Sequence, residues 1–128
     1  MQEHSFDYAT IRVVPRVERE EFVNAGVILF ARTAKYLGAR VHLDEVRIKS
    51  LFPTIDVAEV RRHLESICTI AKGAADSGPI GQLPIHERWH WLVAPRSTII
   101  QISPVHSGLS SDLPKTLEHL MSRLVLEK

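Results

Sequence analysis

The spacing of apolar residues predicts a β-meander in the first 43 residues. Large apolar residues alternate with others in FDYATIRVVP (6–15), and GVILFAR (26–32) is a dense run of strand-forming residues. KYLGARVHL (35–43) also has the composition of a strand, and Gly38 inside it is typical of a β-bulge. We expect the three segments to be neighbouring antiparallel strands.

Helical periodicity follows this meander. Asp44 can cap a short helix that ends at Leu51, and Asp56 can cap a longer one that ends near Ala71. On the longer helix the apolar residues share one face: Val57, Val60, Leu64, Ile67 and Ala71. The second helix is therefore predicted to pack on the core.

The last third of the chain adds a strand and a helix. TIIQIS (98–103) has strand composition, and Asp112 opens a helix with Pro114 in its first turn. KGAADSGPIG (72–81) reads as a loop. The predicted fold class is α+β, with an antiparallel sheet of about four strands and helices packed on one face, in a single domain of residues 1–128.

Composition narrows the class of protein. The chain has 128 residues, of which 45% are hydrophobic and 24% charged, with a net charge of +1. We expect no membrane helix, since no apolar run approaches about 20 residues. The first ten residues lack the features of a signal peptide and Cys68 is the single cysteine, so a cytoplasmic protein is expected. The balanced charge argues against nucleic-acid binding.

One short motif suggests chemistry. The segment HERWH (86–90) matches the H-E-x-x-H pattern, in which two histidines bind zinc and the glutamate activates water. The extended form of the zinc pattern, which has a third histidine beyond the second, is absent from the sequence. Glu118 is the third ligand that can be named. Residues 85–93 fit a strand as well as a helix, and in a strand the histidines would not share a face. We expect two surface histidines beside a buried Trp89, with no metal and no cofactor.

Two other segments could bind an anion. The connection 14–26 is longer than a hairpin needs, and Asn24 and Gly26 suit a tight return that frees backbone N–H groups. Arg96 stands beside Ser97 and a threonine, as in a phosphate or carboxylate clamp. Ordinary solvated turns are the favoured explanation of both segments. His106 is expected in a third loop.

Two blocks of the chain resemble a known family. The segments from Tyr8 to Phe30 and from Glu87 to Gly108 are similar to the bacterial family named domain of unknown function 3037. The resemblance implies a small cytoplasmic protein that has no established activity and is often encoded beside a HipA-like kinase. It also implies no histidine at the position of His86, so the zinc pattern departs from the family. The polar residues that match the family motifs form the candidate site: Arg16, Glu21, Asn24, Gly26, Arg88, His90, Arg96, Ser97, Gln101 and His106.

Three functions are compatible with these residues. The leading hypothesis is a non-catalytic partner or regulator that binds a protein, such as the HipA-like kinase. The second is an enzyme for an anionic or phosphorylated substrate, with Arg16, Arg96 and His106 binding charge and Glu21 acting as general base. The third is a nucleic-acid module that stacks bases on its tryptophans. If GVILF and TIIQIS are parallel neighbours, or are separated by one antiparallel strand, their starting ends share one sheet edge, and the loops there bring Arg96 towards Glu21 and Asn24.

Overall fold

The computed structural model describes residues 2–96 and 98–127, and its centre is an antiparallel sheet. The strands are β1 (His4–Val13), β2 (Val23–Ala31), β3 (Tyr36–Val41), β4 (Ile100–Ile102) and β5 (His106–Ser110). β2 lies between β1 and β3, while β4 and β5 pair with the other edge of β1. The α+β class, the antiparallel sheet and the meander are confirmed, and the described residues form five strands.

Three of the five helices in the described ranges begin after the capping aspartates that the sequence predicts. The five helices are α1 (Glu45–Leu51), α2 (Val57–Lys72), α3 (Gly78–Gly81), α4 (Ile85–Val93) and α5 (Leu113–Met121), with a 3₁₀ turn at Val17–Arg19 and a π-helical turn at Ser122–Leu126. The side chains of Asp44, Asp56 and Asp112 each accept a backbone N–H from the third residue beyond. α4 settles the choice between helix and strand for 85–93. No helix in the described ranges has both the length and the apolarity to cross a membrane.

Helices cover both faces of the sheet, where the sequence pattern predicts them on one. The reason lies in β2, which is apolar on both sides and buried almost throughout. Ile28 and Phe30 face a core shared with α1, α2 and α4. Val27 and Leu29 face a second core, which α5 and the π-helical turn complete. A strand with two apolar faces requires a helical layer on each.

The β-bulge lies in β2, and its prediction at Gly38 is wrong. β2 and β3 pair without interruption, and a Cβ at Gly38 would lie 2.7 Å from the hydroxyl of Tyr36, so close packing explains that glycine. The irregularity falls between β1 and β2, where Ala25 is the extra residue. It keeps Val23 in the first core and turns Asn24 to the opposite face.

β4 and β5 form one edge strand that is interrupted at residues 103–105. The backbone N–H of Ser103 donates to the oxygen of Thr10 at 2.9 Å, and its hydroxyl accepts the N–H of Thr10 at 2.8 Å. The hydroxyl thus replaces a carbonyl in the ladder. The prediction of a loop at His106 is wrong, because pairing with β1 resumes there. Gly108 permits the resumption, since a Cβ there would lie 2.8 Å from the Phe6 ring.

Candidate functional site

Three polar residues form a row across the sheet at one end. Arg12 in β1 lies opposite Asn24 in β2 and opposite Gln101 in β4. Because β2 and β4 are both antiparallel to β1, they begin at the same edge of the sheet. The prediction that these two strands share a starting edge is therefore confirmed. Ile11 and Val13, the neighbours of Arg12 in β1, point into the first core. Arg12 and its row therefore lie on the opposite face of the sheet, which carries α5.

A groove of about 390 Å³ opens beside this row. We name it the arginine groove, and it is lined by Arg12, Val14, Val17, Glu20, Phe22, Arg96 and Gln101. Arg96 and Gln101 are two residues that the sequence predicts for the site, and Asn24 lies next to the groove through its pairing with Arg12. The fold thus brings the two family motifs together at this edge.

Arg12 is held against an aromatic ring. Its guanidinium carbon lies 4.2 Å from the centroid of Phe22, whose side chain is 43% exposed. The Nε of Arg12 is buried and has no hydrogen-bond partner, and the described residues offer this arginine no salt bridge. A buried donor without an acceptor is costly, but this atom has almost no accessible surface, so an anion in the groove can meet Arg12 only at its other guanidinium nitrogens.

Arg96 has a similar environment on the other side of the groove. Its guanidinium carbon lies 4.5 Å from the centroid of Trp91, and one of its terminal nitrogens donates to the backbone oxygen of Trp91 at 2.7 Å. Burial lowers the pKa of Arg96, but an arginine remains charged at neutral pH. Within the described ranges it too forms no salt bridge.

Glu20 is the only acidic residue among the described residues that line the arginine groove. Its backbone lies in the left-handed region, with φ of 58°, directly after the 3₁₀ turn. This conformation is strained for a residue with a side chain. One carboxylate facing two arginines leaves the groove with a positive balance.

A second groove, of about 450 Å³, lies on the opposite face of β4, next to α2. We name it the apolar groove; its lining consists of Glu59, His63, Ser66, Ile67, Ile70, Trp91, Arg96, Thr98, Ile99 and Ile100. Ile67, Ile70 and Ile100 are buried and belong to the first core. Arg96 lines both grooves, so its charge stands at the boundary between a polar and an apolar surface.

Three predicted site residues at positions 16, 21 and 26 lie outside the arginine groove. Arg16 is exposed and pairs with Glu18 at 3.5 Å. Glu21 pairs with Arg19 at 2.5 Å and so does not meet Arg96. Gly26 has a structural role, because a Cβ there would lie 2.5 Å from the backbone oxygen of Arg40.

The other predicted residues are distributed over the molecule. Arg88 ties the chain after α2 to α4, donating to the oxygen of Leu83 at 2.9 Å. His90 is exposed on α4. The ring of His106 lies tilted against that of Tyr8, with 5.4 Å between ring centroids, nearer the start of β1 than Arg12. Ser97 lies outside the described residues.

The comparisons with known proteins identify a family and assign no activity. The model of a family described as protein of unknown function (DUF3037) matches residues 8–125. The chain belongs to this family. No significant match was found among curated proteins, and none among solved structures.

In this DUF3037 chain, the histidines of HERWH share one face of α4. His86 and His90 line a shallow groove together with Asp7 and Arg32. Within the described ranges, no group of three or more His, Cys, Asp or Glu side chains is placed to hold a metal ion. Glu118 pairs with Arg40 from α5, on the other face of the sheet.

Sequence reasoning missed three charged or aromatic residues of the arginine groove: Arg12, Glu20 and Phe22. Arg12 is a charged residue in an alternating strand, and this signal was available, since the residue opposite to core positions must face another surface. Phe22 and Glu20 gave weaker signals, because an aromatic or acidic residue in a long connection has no fixed direction. Their place depends on the 3₁₀ turn, which folds the connection over the end of β1.

Proposed function

We propose that the protein is a non-catalytic binding module that recognises an anionic group of a partner protein in the arginine groove. The observation that carries the proposal is the pair Arg12 and Arg96. Both line one groove, each lies over an aromatic ring, and neither has a carboxylate partner among the described residues. We further propose a bacterial cytoplasmic setting and a HipA-like kinase as the first partner to test.

The chemistry of the two arginines supports an anionic ligand. A guanidinium presents several N–H donors in one plane, which suits the two oxygens of a carboxylate or the oxygens of a phosphate. The aromatic rings beneath Arg12 and Arg96 limit the rotamers of both side chains, so less conformational entropy is lost on binding.

The surroundings support a protein rather than a small ion as the bearer of that anion. Val17, Phe22 and Trp91 are large apolar residues that remain exposed and lie at the rims of the two grooves. Tryptophan and arginine are enriched among the residues that contribute most to protein interfaces. Together they form a mixed surface on which an apolar contact can accompany the charge.

The enzyme hypothesis lacks the convergence that it requires. Its general base, Glu21, pairs with Arg19, and the ring of His106 packs against that of Tyr8 away from Arg96. Arg16 is paired with Glu18 in solvent. The nucleic-acid hypothesis has no such support either, because the exposed arginines near the groove alternate with acidic residues that pair with them.

Co-purification with variants of the groove tests the proposal. The tagged chain is co-expressed with a HipA-like kinase and isolated under mild conditions. We expect the kinase to co-purify with the unchanged chain and to be lost from the double variant Arg12→Gln, Arg96→Gln. The matched control is Arg32→Gln, since Arg32 is an exposed arginine directly after the far end of β2. It should retain the kinase.

Two results would contradict this function. The first is retention of the kinase, or of any other protein captured by the unchanged chain, by the double variant as fully as by the Arg32 control. In that case, the groove does not carry recognition. Failure of the unchanged chain to capture any protein would reject the partner role itself. Circular dichroism of each variant excludes unfolding as the cause of a loss.

A further inference from the structure

We propose that the partner binds as an extended segment that adds a strand to the free edge of β4, with an acidic side chain in the arginine groove and apolar side chains on either side of it in sequence. This inference rests on the proposed function and specifies the conformation and the chemistry of the partner segment. It follows from the position of the two grooves on opposite faces of one edge strand.

The backbone of β4 has one unpaired side. In the part of the chain that the structure describes, β4 pairs with β1 alone. The N–H of Val14 donates to the oxygen of Ile99 at 2.7 Å, and the N–H of Ser103 donates to the oxygen of Thr10. By the alternation of antiparallel pairing, residues 99, 101 and 103 face β1. The N–H and C=O groups of Ile100 and Ile102 therefore point outward.

This outward side can accept a short strand. The oxygen of Ile100 already accepts the hydroxyl of Thr98 at 2.8 Å, but a carbonyl oxygen has a second lone pair. β4 has only three residues, so the backbone of an added strand can form few hydrogen bonds with it. Affinity and selectivity must then come from pockets that take alternate side chains, as in other cases of strand addition.

The two grooves are positioned as such pockets. Ile100 faces the first core and lines the apolar groove, whereas Gln101 lines the arginine groove on the other face. Successive side chains of an added strand point to opposite faces of the sheet. A side chain beside Ile100 or Ile102 would therefore point to the face of the apolar groove, and the one between them to the face of Arg12 and Arg96.

Charge decides the chemistry of this segment. Two arginines without carboxylate partners face one glutamate in the arginine groove, so the side chain that enters it is acidic. The floor of the apolar groove consists of Ile67, Ile70 and Ile100, so the neighbouring side chains are aliphatic or aromatic. Arg96, at the boundary, can contact both kinds of residue. The occupant is thus a partner segment in which apolar and acidic residues alternate.

Nuclear magnetic resonance with synthetic peptides tests this inference. The probes are short capped peptides with glutamate between two positions that are occupied in turn by leucine, valine or phenylalanine. We expect the amide signals of Ile100, Gln101 and Ile102 to shift, and hydrogen exchange at Ile100 and Ile102 to slow. The variants Arg12→Gln and Arg96→Gln should each bind about tenfold more weakly or worse, while Arg32→Gln is unchanged.

Two peptide controls separate strand addition from general attraction. One has the same composition with the apolar and acidic residues grouped rather than alternating, and the other is methylated at the backbone nitrogens that would pair with β4. Both should bind about tenfold more weakly or worse. Equal binding of either control overturns strand addition, and so does the failure of every alternating peptide at millimolar concentration.

The outcomes distinguish this inference from the function on which it rests. Capture of the kinase that depends on the arginines, without binding of any alternating peptide, rejects strand addition and leaves anion recognition intact. Alternating peptides that bind the arginine variants undiminished reject the acidic side chain and the proposed function together. A dimer in sedimentation experiments whose formation the peptides do not inhibit assigns the edge to a second copy and overturns the inference.

Discussion

The guanidinium group of Arg96 is fixed by Trp91 in two ways, through its ring and through its backbone oxygen. The ring centroid lies 4.5 Å from the guanidinium carbon, and the hydrogen bond to the oxygen is 2.7 Å long. Trp91 is 40% exposed, although it is one of only two tryptophans in the chain. An exposed tryptophan that positions an arginine at the boundary of two grooves fits the proposed role in recognition better than a role in the core.

We therefore predict different effects of truncating the two tryptophans. Trp89 is 4% exposed and stacks on Phe30, so Trp89→Ala should lower the free energy of unfolding by about 3 to 5 kcal/mol. Trp91→Ala should lower it by about 1 kcal/mol or less and still weaken partner capture. Urea denaturation followed by co-purification measures both quantities. Equal losses of stability would contradict the assignment.

Features that depend on neighbours in sequence could be predicted. The three aspartate caps were found because each is set by one side chain and a backbone N–H three residues later. The burial of Trp89 followed from periodicity in the same way. The shared starting edge of β2 and β4 was predicted only on a condition, because it depends on how both strands pair with β1.

Features that depend on register could not be predicted. The bulge at Ala25 is defined by which residues of β1 lie opposite, and β5 depends on a hydroxyl of Ser103 that replaces a carbonyl in the ladder. The two grooves exist because Gln101 and Ile100 face opposite sides of one strand next to two different elements. The alternation in TIIQIS contains this information, but the sequence does not specify what lies on each side.

Gly26 should not tolerate a side chain. A Cβ at this position would lie 2.5 Å from the backbone oxygen of Arg40 and 2.8 Å from Cδ1 of Ile11. The backbone of β3 cannot retreat without disturbing its pairing with β2, so we expect Gly26→Ala to cost about 1 to 3 kcal/mol. A shift of the urea midpoint measures this cost. An unchanged midpoint would show that the strands can separate locally.

Asn24 should stabilise the C-terminal turn. Its amide nitrogen donates to the backbone oxygen of Leu124 at 3.1 Å, while its own buried oxygen has no partner. Asn24→Ala removes the donor and leaves the Leu124 oxygen unpaired, at a cost of about 1 kcal/mol. Hydrogen exchange in residues 122–126 should become faster. The exposed change Ser122→Ala is the control and should leave that exchange unaltered.

The purified protein should carry no stoichiometric zinc. His86 and His90 lie four residues apart on α4, yet Glu118 lies on the other face of the sheet and pairs with Arg40. We expect His86→Ala to change the free energy of unfolding by no more than about 0.5 kcal/mol, as at an ordinary surface position. Elemental analysis gives the direct answer. One zinc per chain that disappears in this variant would restore the metalloenzyme hypothesis.

Cys68 should give the fold a dependence on alkaline pH. Burial raises the pKa of its thiol, which donates to the oxygen of Ala39 at 3.7 Å. The folded chain therefore favours the neutral thiol. The resulting stability is fully present below the pKa of the thiol in the unfolded chain, about 8.5. It is lost as the pH rises through the higher pKa of the folded chain. Cys68→Ala removes the ionisable group, so the difference in unfolding free energy between the two proteins should shrink above that pH.

The thiol should also react more slowly with an alkylating reagent at mildly alkaline pH in the folded chain than in urea. A constant difference between the proteins across this range would mean that the thiolate is as well accommodated in the fold as in water.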